Sequence, residues 1–202
     1  MNPQETNPAP WSENVIVADA DYVDKVAFEL TVNFERMIGR RIPPADMAKW
    51  LVCVALDGGL REGDHQTQVV LIHDRETRKM ENFTPADYET ELNAQAFRDP
   101  KLGEFVISSY PVEDIVSKDD YMADVVQTIA NLKEVKRLVI VPNAEQGEQY
   151  ELIRKALAQV DDEGKRITLL AMQPLAGGNF RQEILGYSLM TALGIKASEI
   201  KP

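Results

Sequence analysis

The chain is short of cysteine, histidine and long apolar runs. Cys53 is the only cysteine among 202 residues, and there are only two histidines. A single cysteine excludes an internal disulfide framework and a cysteine-based zinc site, and in its apolar run it is expected to pack rather than to react. No stretch approaches the roughly 18 apolar residues of a membrane span, and the N-terminus lacks a basic-then-apolar leader. We therefore expect a cytoplasmic protein with no membrane partner.

Positive charge is scarce as well. The chain has 22 Lys and Arg residues against 33 Asp and Glu residues, for a formal net charge of −11 and a pI of about 4.7. Such a chain repels phosphate backbones at long range, which counts against a dedicated nucleic-acid binder. A local basic groove or a metal-bridged substrate stays compatible with this charge. A protein or small-molecule partner fits it more easily.

Short β-branched apolar segments alternate with segments of helical periodicity along most of the chain. Nearly continuous apolar strands without hairpin signals are typical of a parallel sheet that is covered on both faces. The sequence therefore predicts an α/β fold, a three-layer α/β/α sandwich with a five-stranded, mainly parallel sheet. We expect one domain over residues 13–202, after a flexible N-terminal segment over residues 1–12. The predicted strands are 14–18, 68–73, 104–108, 137–141 and 166–171.

Helix signals lie between these strands. Apolar residues at helical spacing predict a long helix over 21–38 that Gly39 ends. Thr84, followed by Pro85, is typical of a helix start, and this helix should run to Phe97. The other predicted helices are 45–56, 118–132, 146–160 and 179–193.

Asp19 and Asp21 come directly after the first predicted strand. In open α/β sheets, ligands bind just outside the carboxyl ends of the strands, so these two acids lie at the expected place for a site. One of them is expected to cap the following helix, where an acid also favours the positive end of the helix dipole. A cap needs only one acid, which leaves the other for chemistry. His73, at the end of another strand, is expected to be an ordinary hydrogen-bonded residue.

Three short segments resemble the PIN-like nuclease superfamily and, more narrowly, its NYN branch. They are Val15–Val23 with its strand-end acids, the helix start 118–124, and the strand and loop 138–145. The resemblance implies that carboxylates gather one or two Mg²⁺ or Mn²⁺ ions and that the ions assist cleavage of RNA phosphodiesters. Carried over by position, the catalytic and metal-binding acids are Asp19, Asp21, Asp120 and Asp124. Asn143 and Glu145, in the turn Pro-Asn-Ala-Glu where the family usually has aspartates, are the further metal ligands.

Two other interpretations remain open. Asp19 and Asp21 also resemble the first motif of haloacid-dehalogenase-type phosphatases, which implies a nucleophile and a general acid/base, with Ser108 and Lys118 at phosphate-binding positions. Alternatively, the chain is a non-catalytic protein-binding or scaffold protein of the same fold that acts through a protein partner or a homo-oligomer. The net negative charge favours the second alternative. The segment 175–179, with two glycines, is expected to be a plain loop and helix cap rather than a phosphate loop.

Overall fold

The computed structural model describes residues 11–160 and 163–201. These residues form nine strands, β1 (Asn14–Asp19), β2 (Ala45–Asp46), β3 (His65–His73), β4 (Phe83–Thr84), β5 (Gln95–Asp99), β6 (Gly103–Pro111), β7 (Arg137–Val141), β8 (Arg166–Ala171) and β9 (Arg181–Ile184). The same described ranges contain five α-helices, α1 (Ala20–Ile38), α2 (Met47–Asp57), α3 (Lys118–Ala130), α4 (Gln149–Leu157) and α5 (Leu185–Ala192). A π-helical turn covers Tyr88–Leu92, and a 3-10 turn covers Ala197–Glu199.

Seven strands form one central sheet in the order β5-β6-β3-β1-β7-β8-β9. All neighbours in this sheet are parallel except the hairpin pair β5 and β6. The buried side chains of α1, α2 and α5 pack on one face of the sheet, and those of α3 and α4 pack on the other. The prediction of an α/β fold with a mainly parallel sheet is confirmed, and helices cover both faces.

The predicted strand count of five is wrong, because the two edge strands were taken for helix. The predicted helix over 85–97 is instead the π-helical turn followed by β5, and Asp87 rather than Thr84 caps that turn. The predicted final helix over 179–193 begins only at Leu185, after β9. Edge strands are held mainly by hydrogen bonds to one neighbour, so their half-exposed, polar sequences carry little strand pattern.

Helix α1 begins one residue before its predicted range of 21–38 and ends where predicted. Asp19 is its N-cap, since the carboxylate accepts a hydrogen bond from the backbone of Tyr22 at 3.2 Å. Gly39 ends it with φ of 72°, a left-handed conformation that suits glycine. The buried stripe of Val23, Val26 and Ala27 lies on the sheet. The cap therefore fixes the carboxylate of Asp19 at the edge where β1 ends.

Of the segment 1–12 that was predicted to be flexible, residues 1–10 lie outside the described part of the chain. Trp11 is half-buried and packs against the core on the α3 side, and the backbone of Ser12 donates to Gln68 at 3.0 Å. These contacts attach the start of the described chain to β3. None of the helices in residues 11–160 and 163–201 has the length and apolar character that crossing a membrane requires.

Candidate functional site

Three carboxylates and one lysine meet at the edge of the sheet where β1 and β3 end. Asp19 closes β1, Asp21 lies in the first turn of α1, Asp74 follows β3, and Lys118 is the first residue of α3. The Lys118 ammonium lies 3.4 Å from Asp19 Oδ1, 3.6 Å from Asp21 Oδ2 and 3.0 Å from Asp74 Oδ2. We call these four residues the acidic cluster.

Asp19 is fully buried and is held from a second side by Gln149. Gln149, at the start of α4, is also fully buried; its Nε2 donates to Asp19 Oδ2 at 3.0 Å and to Asp119 Oδ1 at 3.1 Å. Its Oε1 accepts from the backbone of Asn143 at 2.7 Å. The amide therefore uses its donors and its acceptor to tie the loop after β7 to the acidic cluster.

Asp21 is oriented by hydrogen bonds from the β3 side of the site. The backbone of Asp74 donates to its Oδ2 at 2.6 Å, and the Tyr88 hydroxyl donates to its Oδ1 at 3.0 Å. The ring of Tyr88 stacks on His73 with centroids 3.8 Å apart. His73 and Tyr88 also form part of the wall of a cavity of about 470 Å³ beside the acidic cluster, and Arg75 and Arg78 contribute to the same wall.

Burial and the lysine act against each other on the acids. Burial raises the pKa of Asp19, although the charge of Lys118 opposes that rise. Burial likewise raises the pKa of Asp21 to about 6. For Lys118, burial alone would lower the pKa, but the three carboxylates outweigh it and raise that pKa. Lys118 therefore stays charged, while Asp21 is placed to exchange a proton near neutral pH.

The structure brings together only part of the predicted set of site residues. Asp19 and Asp21 lie in the acidic cluster. Asp120 is exposed and accepts from the Ser117 hydroxyl at 2.8 Å, at the cap of α3. Asp124 is exposed on the same helix, where it borders an apolar groove next to Trp11. The acid at the α3 start that approaches Asp19 is Asp119, through the shared amide of Gln149.

The loop after β7 contributes less directly. Asn143 Oδ1 accepts from the backbones of Glu145 and Gln146 at 3.2 Å each, so it caps its own turn. Glu145 is exposed and lies near the buried Tyr22, whose pKa is raised by burial and by that carboxylate. These two predicted metal ligands therefore lie beside the acidic cluster. In the described part of the chain, the ion pairs of Lys118 are with Asp19, Asp21 and Asp74 and not with Asn143 or Glu145.

Sequence reasoning missed Asp74 and Gln149 as members of the site. Asp74 directly follows a predicted strand, so its position at the edge of the sheet was open to the same argument that selected Asp19. Gln149 carried no signal, because it lies 130 residues from Asp19 in the chain and a glutamine at a helix start is ordinary. Lys118 is the residue whose contact with Asp19 suits the phosphatase resemblance, whereas Ser108 pairs with Val70, well inside the strand.

Cys53 and the segment 175–179 have structural roles. Cys53 is half-buried on α2, and burial raises the pKa of its thiol, so it stays protonated at neutral pH. The glycines of 175–179 precede β9 instead of a helix, and Asn179 Nδ2 donates to the carbonyls of Leu157 and Val160 at 3.4 and 3.1 Å. Segment 175–179 is therefore a plain loop, as predicted, but it does not cap a helix.

The metal that the nuclease resemblance implies must fit these donors. Within residues 11–160 and 163–201, no group of three or more His, Cys, Asp or Glu side chains has the arrangement of a metal site. Three carboxylates nevertheless point their oxygens at one cation, the Lys118 ammonium. Hard divalent ions prefer such oxygen ligands, so the chemistry of the donor set suits Mg²⁺ or Mn²⁺ once Lys118 moves aside.

The fold and the site together define an α/β protein with a mainly parallel sheet and a lysine-bridged acidic cluster at the carboxyl edge of that sheet. Residues 8–200 match the sequence model of the family of unknown function DUF6621. The chain therefore belongs to that family. No curated protein and no solved structure gives a significant match.

Proposed function

We propose that this chain is a divergent PIN/NYN-like domain that hydrolyses phosphodiester bonds in RNA at the acidic cluster. Mg²⁺ or Mn²⁺ would be held by Asp19, Asp21 and Asp74. The observation that carries the proposal is the convergence of these three carboxylates on a single cation within 3.6 Å. When ionised, they carry three negative charges, and the single positive charge of Lys118 compensates only one of them, which favours replacement of the lysine by a divalent ion.

The bound ion would supply an activated water and charge stabilisation at the leaving oxygen. Lys118, released from the carboxylates, would then pair with the phosphate of the substrate. Asp21 would bind the ion in its ionised form, and the Tyr88 hydroxyl holds its orientation. Gln149 and Asp119 keep the carboxylate of Asp19 in place.

The cavity beside His73 and Tyr88 supports an extended polar substrate. Its volume of about 470 Å³ lies in the range of ligand sites. Arg75 and Arg78 line it, and each also pairs with a carboxylate, Asp114 and Asp87 respectively. A phosphate of the RNA backbone would compete for these guanidinium groups, which gives a strand leaving the acidic cluster a path over the end of β3.

The test combines Mn²⁺ titration by calorimetry with cleavage of single-stranded RNA. We expect Asp19→Asn and Asp21→Asn to lower cleavage by about 100-fold or more and to weaken Mn²⁺ binding, because each removes a charged ligand. Asp120→Asn and Asp124→Asn are the matched controls, since both acids are exposed on α3 outside the cluster, and both variants should keep wild-type activity. Equal activity in all four variants, or no Mn²⁺ binding by the wild type, would refute the proposal.

A non-catalytic protein of the same fold is the second candidate. It is favoured by the cation that Lys118 already supplies to the three carboxylates and by the complete burial of Asp19, because a structural ion pair would have both features. If this candidate is correct, the protein does not bind Mn²⁺, and it forms a stable homo-oligomer or binds a protein partner. Light scattering after size exclusion, with a pull-down, measures both; a monomer that binds Mn²⁺ tightly would contradict it.

A phosphatase of the haloacid-dehalogenase type is the third candidate, and the 3.4 Å contact between Lys118 and Asp19 favours it. Hydrolysis of p-nitrophenyl phosphate that Asp19→Asn abolishes, without cleavage of RNA, would select it over the nuclease.

A further inference from the structure

Three arginines gather at the amino-terminal edge of the sheet, at the opposite end of the strands from the acidic cluster. Arg137 and Arg166 are paired residues at the starts of β7 and β8. Both side chains lie against the turn that follows α2: Arg137 Nε donates to the carbonyl of Gly58 at 3.3 Å, and a Cβ on Gly59 would meet Arg166 Cζ at 2.4 Å. Arg61 follows that turn and is exposed. We call these three residues the arginine cluster.

The arginine cluster has no counter-charge in the described part of the chain. In a protein of net charge −11, no carboxylate there forms an ion pair with Arg61, Arg137 or Arg166. Most of the other arginines do have such a partner. Arg166 Nε is in addition buried and without a hydrogen-bond partner among the described residues. A buried donor without a partner costs free energy, so a role in stability does not account for its position.

Capping of a helix explains only one of the three residues. The carboxyl end of α2 carries a partial negative charge, and the bond from Arg137 to Gly58 satisfies one of its free carbonyls. Arg61 and Arg166 make no such bond to the helix end. Burial lowers the pKa of Arg137, and the charges of Arg166 and Arg61 lower it further, so each of these two guanidinium groups lies close enough to Arg137 to repel it.

We propose that the arginine cluster binds a phosphate group. Arg61 is exposed and the other two arginines are half-exposed, so a ligand can reach them. Guanidinium groups bind tetrahedral oxyanions through paired hydrogen bonds, and a dianion would remove the repulsion at Arg137. Arg166 would turn toward the anion, and its Nε, buried in this structure, would then gain the acceptor that it lacks. Strand β1, six residues long, separates this edge from Asp19 by about 17 Å, so the phosphate site is distinct from the proposed hydrolytic site.

The test is thermal unfolding in increasing inorganic phosphate, compared with chloride at equal ionic strength. We expect a saturable rise in Tm of a few degrees, about 3 °C, for the wild type because the anion binds only the folded protein. Arg166→Gln and Arg61→Gln should each weaken phosphate binding at least about tenfold by calorimetry. Arg98→Gln is the matched control, since Arg98 is exposed and paired with Asp64, and it should bind phosphate as the wild type does.

Folding of the variants is measured in the same experiment. Without phosphate, Arg166→Gln should unfold at the wild-type temperature or above it, because it removes a charge that repels Arg137. Glycerol phosphate and AMP, titrated alongside free phosphate, distinguish a phosphate carried by a small molecule from the free ion. The proposal is overturned if phosphate acts no differently from chloride, or if phosphate binding survives in both Arg166→Gln and the exposed variant Arg61→Gln.

Discussion

Replacing Lys118 by methionine separates two opposite expectations for the start of α3. A lysine at a helix N-terminus is unfavourable for the helix dipole, so helix energetics alone expects Lys118→Met to stabilise the protein slightly. The ion pairs of the acidic cluster predict the opposite, that Lys118→Met destabilises the protein. The substitution leaves Asp19, which is fully buried, and Asp21, whose side chain is 16% exposed, without their cation. We therefore expect a loss of stability that depends on pH.

The expected loss is about 3 kcal/mol at pH 8, the lower end of the cost of breaking a buried ion pair, because Asp74 is half-exposed. Without Lys118, the pKa values of Asp19 and Asp21 rise beyond their already raised values. The folded state then binds more protons than the unfolded state, so the variant regains stability as the pH falls. At pH 5 the loss should shrink to about 1 kcal/mol.

Urea unfolding in EDTA at pH 8 and pH 5 measures both values, and the loss at pH 8 corresponds to a fall in Tm of roughly 6–12 °C. Lys25→Met is the matched control, since Lys25 pairs with Glu29 on the surface, and it should change the free energy of unfolding by less than about 0.5 kcal/mol at either pH. A Lys118→Met protein that is as stable as the wild type at pH 8, or equally destabilised at both pH values, would show that the lysine does not neutralise the acids.

Three further predictions concern single residues. In a carbon-detected NMR titration, the carboxyl of Asp21 should titrate near pH 6, and a midpoint near pH 4 would mean that burial does not act on it. Gln149→Leu should lower the free energy of unfolding by about 2–4 kcal/mol in urea, since it opens three hydrogen bonds at a fully buried position, and an unchanged midpoint would contradict the bridging role. Gly103→Ala should lower the free energy of unfolding by about 3 kcal/mol or more, because φ is 94° and the new Cβ would lie 2.1 Å from the carbonyl oxygen of His65. Gly39→Ala, where φ is 72° and the space around the new Cβ is open, should lower it by only about 1 kcal/mol. Equal losses in the two variants would refute the steric explanation.

The elements of the fold that the sequence predicted correctly are those whose pattern is contained within a few neighbouring residues. Four of the five inner strands are apolar because both of their faces are covered, so each shows as a short continuous run. In the fifth, β6, buried and half-buried residues alternate, and only its apolar centre over 105–107 predicted it. The ends of α1 were also local, with an acid cap at Asp19 and a glycine at position 39. The edge strands β5 and β9 were missed since one side of each meets solvent, and their sequences lack that run.

The candidate site divides in the same way. The sequence by itself placed Asp19 and Asp21 at the carboxyl edge of the sheet, because neighbouring residues are enough to recognise the end of a strand and the start of a helix. Only the tertiary structure selected Asp74, Lys118 and Gln149 over Asp120 and Asp124 as their neighbours. The strand order sets β3 and β7 on either side of β1 and so determines which loop ends reach Asp19. Pairing between segments 50 to 130 residues apart depends on packing of the whole sheet, which no short stretch of sequence records.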